Sequence, residues 1–198
     1  YWDAGVRHIV ALRGDMPNMD GPYQAHPTGY ASTPELIEGL RKIAPFEISV
    51  SAYPERHPDS ASLEHDIELL KRKVDAGAAR ALTQFGFDND AIARFRDAAV
   101  RAGVEIPISP GLIPTTNIKG ISRMAAKAGA SIPDWLTGLY DGLDSDPDAR
   151  KIIAATVLAD QVEQLRGRGF DQFHFYTLNQ ADLAFAACRL LGIQARAA

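Results

Sequence analysis

Apolar residues gather along this chain in short runs that do not alternate with polar ones. The runs lie at about 7–13, 46–53, 79–86, 105–110 and 171–177, and are rich in Ile, Val, Phe and Ala. A strand with one wet face alternates, whereas a strand covered on both faces does not. These segments therefore predict five buried strands. The intervening segments predict helices at about 33–44, 61–76, 88–102, 117–129, 132–142, 147–168 and 179–192. Ser32-Thr33-Pro34-Glu35 offers a cap residue before a first-turn proline, and Asp88 precedes Asn89-Asp90-Ala91. Asn179 opens the last helix, with Asp182 three residues on. Stops fall at Ala76-Gly77, Ala102-Gly103 and Arg168-Gly169, where glycine takes the left-handed closing conformation.

Strands alternating with helices imply a parallel sheet with right-handed crossovers. A doubly wound sheet and a (β/α)8 barrel both satisfy this. No G-x-G-x-x-G turn follows any strand, which weakens the dinucleotide-binding alternative. Polar groups recur where strands end, at Arg13-Gly14-Asp15, Tyr53 to His57, Gln84 to Asp88 and Leu178-Asn179-Gln180. Such repetition suits the mouth of a barrel. Five strands cannot close an eight-stranded barrel, so either the sheet is open or about three βα units lie upstream of Tyr1. Residues 131–148 form an extra helix and loop before the last strand.

Composition narrows the class further. The chain has 198 residues, 46% hydrophobic and 23% charged, which suits a single globular domain. Its net charge of -4, with no long run of one sign, argues against a nucleic-acid surface. No run approaches the roughly 20 apolar residues that cross a bilayer, and no signal peptide is visible. A single cysteine, Cys188, cannot form an internal disulfide and sits among Ala and Leu as helix packing. A cytoplasmic setting follows by default. The abrupt opening at Tyr1-Trp2-Asp3 is consistent with a segment of something longer.

Several residues admit both a functional and a structural reading. Asp15 beside Arg13 is either a ligand-facing carboxylate with an anion-binding guanidinium, or a local ion pair at a turn. Tyr53 and His57 either stack on a planar ligand or form a solvated rim. Asp66 and Lys73 are seven apart, on one helix face, and with Lys71 and Arg72 form either a binding surface or a solvated charged face. Gln84, in an apolar strand, must find a partner in a ligand or in a neighbouring strand. His174 reads as a core histidine, and Asp144 and Asp146 as a turn and a helix cap. The five histidines lack metal-type spacing, so no metal is assigned.

Six ordered motifs carry a resemblance: Leu12-Arg13-Gly14-Asp15; Ala52-Tyr53-Pro54-Glu55-x-His57-Pro58; Leu70 through Ala78; Thr83-Gln84-Phe85-x-Phe87-Asp88; Pro110-Gly111-Leu112-Ile113-Pro114; and Phe173 through Asn179. Together the chain resembles methylenetetrahydrofolate reductase of the bacterial type over nearly its whole length. The resemblance implies a (β/α)8 TIM barrel with non-covalent FAD at the strand carboxyl ends. It implies ping-pong reduction of 5,10-methylenetetrahydrofolate to 5-methyltetrahydrofolate by NADH or NADPH, in one-carbon metabolism and methionine synthesis. By the same resemblance Arg13, Gly14, Asp15, Tyr30, Ala31, Tyr53, His57, Asp66, Arg72 and Lys73 contact FAD. Asp15 also faces the pterin as the catalytic carboxylate, and Gln84, Met124 and Gln180 meet substrate. A homo-oligomer is implied for the full-length protein.

The chain departs from the family pattern at Leu69, where a polar residue is usual, at Gly120 for Gln, at Met124 for Phe and at Gln180 for Arg. The family's first three βα units, with a general-acid Glu, are absent. The expectation is the C-terminal two-thirds of a reductase, with an unpaired strand at each end of its sheet, poorly stable and inactive alone. The competing classes are a flavin-binding module without turnover and another barrel enzyme such as an aldolase. A Schiff-base aldolase wants a strand-end lysine, and none is found here.

Overall fold

A computed structural model describes residues 1–14 and 23–194. The elements in chain order are β1 (His8–Ala11), α1 (Thr33–Ile43), β2 (Glu47–Ala52), α2 (Leu63–Asp75), β3 (Arg80–Phe85) and α3 (Asn89–Arg101). They continue with β4 (Ile108–Leu112), α4 (Ile118–Ala128), α5 (Asp134–Gly138), α6 (Pro147–Arg166), β5 (His174–Phe175) and α7 (Ala181–Leu190). The five strands pair in sequence order, every pair parallel. The result is a half-barrel with its helices on the outer face.

Local signals set most helix starts. The Ser32 hydroxyl accepts from the Glu35 amide while Glu35 reaches back and accepts from the Ala31 amide, one residue before the cap, at 3.1 Å. Asp88 caps α3 through the amides of Asp90 and Ala91, and Asp146 caps α6 through Ala149. Asn179 does not cap the last helix. Leu178 and Asn179 both have positive φ, 48° and 61°, so the chain turns left-handed there and Gln180 takes the cap position. The helix expected over 132–142 shortens to α5: Pro133 holds the extended conformation at its start, and after Gly138 the chain goes on in turns. β4 begins three residues later than expected, after Pro107, which has no N–H to give to a sheet. The last strand contracts to two residues.

Register sorts the side chains. Ile48, Val50 and Ala52 turn outward and are buried with Ile37, Leu70 and Phe95 beneath α1–α3. A second cluster, including Ile92, Leu112, Leu158 and Leu165, joins α3 and β4 to α6. A third, including Phe85, Ile113, Leu136 and Tyr140, closes the carboxyl end under α4 and α5. The opposite, concave face is polar at its amino end. Glu47 meets Arg80 at 2.9 Å and His8 at 3.3 Å, and Arg80 also donates to Gln172 at 3.0 Å.

The β3–β4 register shifts between Leu82 and Phe85. The buried Thr83 hydroxyl replaces the missing backbone partners: it accepts from the Gly111 amide at 2.7 Å and donates to the Gln84 carbonyl at 2.9 Å. Tyr176 donates to the Thr83 carbonyl at 2.9 Å. Gly111 is required at this crossing, since a Cβ there would lie 2.1 Å from that same carbonyl oxygen.

Candidate functional site

A cleft of about 190 Å³ opens where β1 and β2 end and α2 begins. It is lined by Arg13, Ser51, Tyr53, His57, Asp59, Ser60, Asp66, Leu69 and Lys73, among others. Larger clefts of about 530 and 560 Å³ lie in the helical layer, one around α3, α5 and α6 and one between α6 and α7. The smaller cleft gathers the charged side chains at the strand carboxyl ends, where barrel proteins keep their chemistry.

Lys73 is the centre of its electrostatics. The side chain is only 4% exposed, yet its ammonium donates to the Ser51 carbonyl at 2.8 Å and the Ser51 hydroxyl at 3.3 Å, both neutral oxygens. Burial pushes its pKa down to about 8, against Asp66, which holds it up; Arg13 adds to the fall. Asp66, one turn into α2, is buried and accepts the His57 main-chain N–H at 2.8 Å. The heptad spacing of Asp66 and Lys73 thus places both on the buried side of α2.

His57 is set by its own loop. Its Nδ1 accepts from the Asp59 amide at 3.0 Å, which leaves Nε2 to carry the proton of a neutral ring. The 3.9 Å approach of Nδ1 to the Asp59 carboxylate is therefore not an ion pair. Burial lowers the His57 pKa, with Arg13 and Lys73 acting in the same sense against Asp59 and Asp66. The ring meets Tyr53 edge-on at 4.5 Å. Arg13 reaches across to Asp59 at 3.3 Å and lies over the Tyr23 ring at 4.6 Å.

The structure brings Arg13, Tyr53, His57, Asp66 and Lys73 into one cleft and leaves other candidates outside it. Gly14 follows Arg13 with φ 78°. Tyr30 packs its phenol against Gly39 of α1, and the Ala31 amide is engaged by Glu35. Arg72 is exposed on α2. Gln84 turns its oxygen back to the Phe85 amide at 3.0 Å. Met124 is 39% exposed on α4, and Gln180 is exposed before α7. Asp15 lies outside the described residues. Ser51 and Asp59 escaped the sequence reading. The Ser49-Val50-Ser51 alternation inside an apolar strand was the available signal for Ser51.

Fold and cleft together define an incomplete parallel α/β barrel, a half-barrel, with a charged cleft at its strand carboxyl ends. A sequence model of the family described as methylenetetrahydrofolate reductase matches residues 1–192, so the chain belongs to that family. It is 46% identical over 194 residues to 5,10-methylenetetrahydrofolate reductase of Escherichia coli K12, covering 98% of this chain and 64% of that protein. It is 45% identical over 194 residues to the enzyme of that name from Pectobacterium carotovorum, covering 98% of this chain and 63% of the relative. The chain thus spans a little under two-thirds of the length of these relatives. A solved Clostridium thermocellum protein, described as uncharacterised and binding two copies of 5-methyl-5,6,7,8-tetrahydrofolic acid, matches with a TM-score of 0.52 and 17% identity. That match covers 79% of this chain and 58% of the other, and it carries the fold alone.

Proposed function

We propose that residues 1–198 form one barrel domain, N-terminally incomplete, of a flavin-dependent methylenetetrahydrofolate reductase. In this reading NADH or NADPH is the reductant and 5,10-methylenetetrahydrofolate is reduced to 5-methyltetrahydrofolate by a ping-pong route, in the cytoplasm. The bacterial relatives carry the name of that activity. The observation that supports it here is the buried Lys73 ammonium, held only by neutral oxygens at the strand-end cleft, beside Arg13 and an aromatic pair.

FAD fits this donor set. A pyrophosphate wants buried positive charge, which Lys73 supplies and Arg13 extends. Tyr53 and His57 offer flat surfaces beside it. The cleft, at about 190 Å³, is smaller than the roughly 300 Å³ at which ligand sites begin, so it holds one portion of such a molecule. Lys73, Arg13, Asp66, Tyr53 and His57 would hold that portion, with Gly14, Tyr30, Ala31 and Arg72 flanking it. Bound FAD supplies the hydride chemistry between nicotinamide and folate. The protein binds, orients and shields. Gln84, Met124 and Gln180 are assigned to the substrate side, and Asp15 to the carboxylate facing the pterin, favouring positive charge there. A homo-oligomer of the full-length protein completes this reading.

The test is an anaerobic absorbance spectrum of the complete gene product. A yellow protein that bleaches with NADH or NADPH and recovers with methylenetetrahydrofolate establishes the reductase. A yellow protein that never bleaches is a flavin-binding module, and a colourless one that cannot take up FAD overturns the cofactor assignment.

A further inference from the structure

The loop that carries Tyr53 and His57 into the cleft is held from outside it. The Glu55 carboxylate accepts from the Ser131 main-chain N–H at 3.1 Å, in the segment between α4 and α5. Gly129, which ends α4 with φ 73°, presses on the same loop: a Cβ there would lie 2.7 Å from the Arg56 carbonyl oxygen and 3.2 Å from the Pro58 ring. Between these two contacts Arg56 is left-handed, with φ 80°. A side-chain-bearing residue keeps such a conformation only where its surroundings impose it. Its guanidinium donates to the Ser60 carbonyl at 2.7 Å, closing the turn on the cleft side. Neither Glu55 nor Gly129 lines the cleft.

We propose that Glu55 and Gly129 are positioning residues: the α4–α5 corner braces the Tyr53–His57 loop and fixes one wall of the cleft. The inference rests on the reading of that cleft as part of an FAD site. Glu55 anchors the loop through a hydrogen bond to a charged acceptor, and Gly129 permits the close approach that a side chain would forbid. The corner belongs to the connection after α4, so the brace ties the cofactor wall to the helix that carries Met124.

The experiment compares Glu55→Ala, Glu55→Gln and Gly129→Ala in the complete gene product by FAD titration and thermal melting of the apoprotein. Glu55→Ala weakens FAD about tenfold, because the unbraced loop must then be ordered when the cofactor binds. Glu55→Gln retains an acceptor oxygen and stays near the parent. Gly129→Ala weakens FAD, and Glu55→Ala lowers the apoprotein melting temperature by only a few degrees, the effect of one lost loop contact on a folded chain. Unchanged FAD affinity in Glu55→Ala overturns the inference, as does an equal loss in Glu55→Gln. Should the parent itself take up no FAD, the cofactor reading falls. The brace is then decided by amide hydrogen exchange over residues 55–60, which quickens in Glu55→Ala if the brace exists and is unchanged if it does not.

Discussion

Lys73 on α2 donates to the main-chain oxygen of Ser51 on β2 at 2.8 Å, so the helix delivers a buried cation to the end of a strand. The aliphatic stem is covered by the protein, and only neutral oxygens hold the charge. Asp66 offsets part of that desolvation, and an arriving anion would offset more. The depressed pKa of about 8 records that imbalance.

This placement predicts two pH effects of opposite sign. Without ligand, the folded state releases the Lys73 proton near 8 while the unfolded chain keeps it to about 10.5. The unfolded state therefore binds more protons between those values, and stability attributable to this group rises with pH across that window. The full cost, roughly 3 kcal/mol, is present below about 8. On the FAD reading proposed above, cofactor affinity moves the other way and weakens as pH climbs through about 8, because the neutral amine no longer attracts a pyrophosphate. Urea unfolding and FAD titration at several pH values, each compared with Lys73→Met, isolate the two terms. A pH-independent difference between parent and variant would sink this account.

Lys73→Met is itself informative, because it keeps the stem and removes the charge. FAD binding falls by more than tenfold, by the usual worth of a buried charge-assisted contact. The apoprotein melts near the parent temperature, since removal of the costly buried cation is offset by leaving the buried Asp66 carboxylate without its counter-charge. Equal FAD affinity in parent and variant would remove Lys73 from the site.

The strand count and the helix caps at Ser32, Asp88 and Asp146 were legible in sequence, because caps and buried runs are local, whereas the sequential strand order followed only from the family resemblance. So was the common face of Asp66 and Lys73, which needs only the helical period. Asn179 was misread because a good cap residue is also a good left-handed turn residue, and the tertiary turn after β5 decided between them. The Glu47–Arg80–Gln172 seam, the Arg13–Asp59 pair and the Glu55–Ser131 contact join residues far apart in sequence. Nothing in a single chain's local pattern marks such partners.

The β3–β4 shift makes a further prediction. Thr83→Val keeps shape and removes the hydroxyl that serves the buried Gly111 amide and the Gln84 carbonyl. The expected loss is about 2 kcal/mol, since two main-chain groups lose their partner. Gly111→Ala costs more, because its Cβ meets main chain at 2.1 Å rather than a movable side chain. Urea midpoints of the complete gene product give both values. A Thr83→Val variant as stable as the parent would show that the bulge is held by packing alone.

The outer strands carry the last prediction. Among the described residues β1 pairs only with β2, and β5 only with β4, so each leaves one backbone edge without a strand neighbour. Beside the β1 edge, Val10 and Leu12 are 51% and 54% exposed on the concave face. An open parallel edge next to apolar side chains is a template for pairing with another chain. Residues 1–198 expressed alone are therefore expected to self-associate, and to do so less when the charge of Val10→Lys is placed on that face. Light scattering after size exclusion reads the outcome directly. A monodisperse monomer that stays soluble on concentration would mean that the half-barrel protects its edges by itself, and the expectation of an unstable fragment would fall with it.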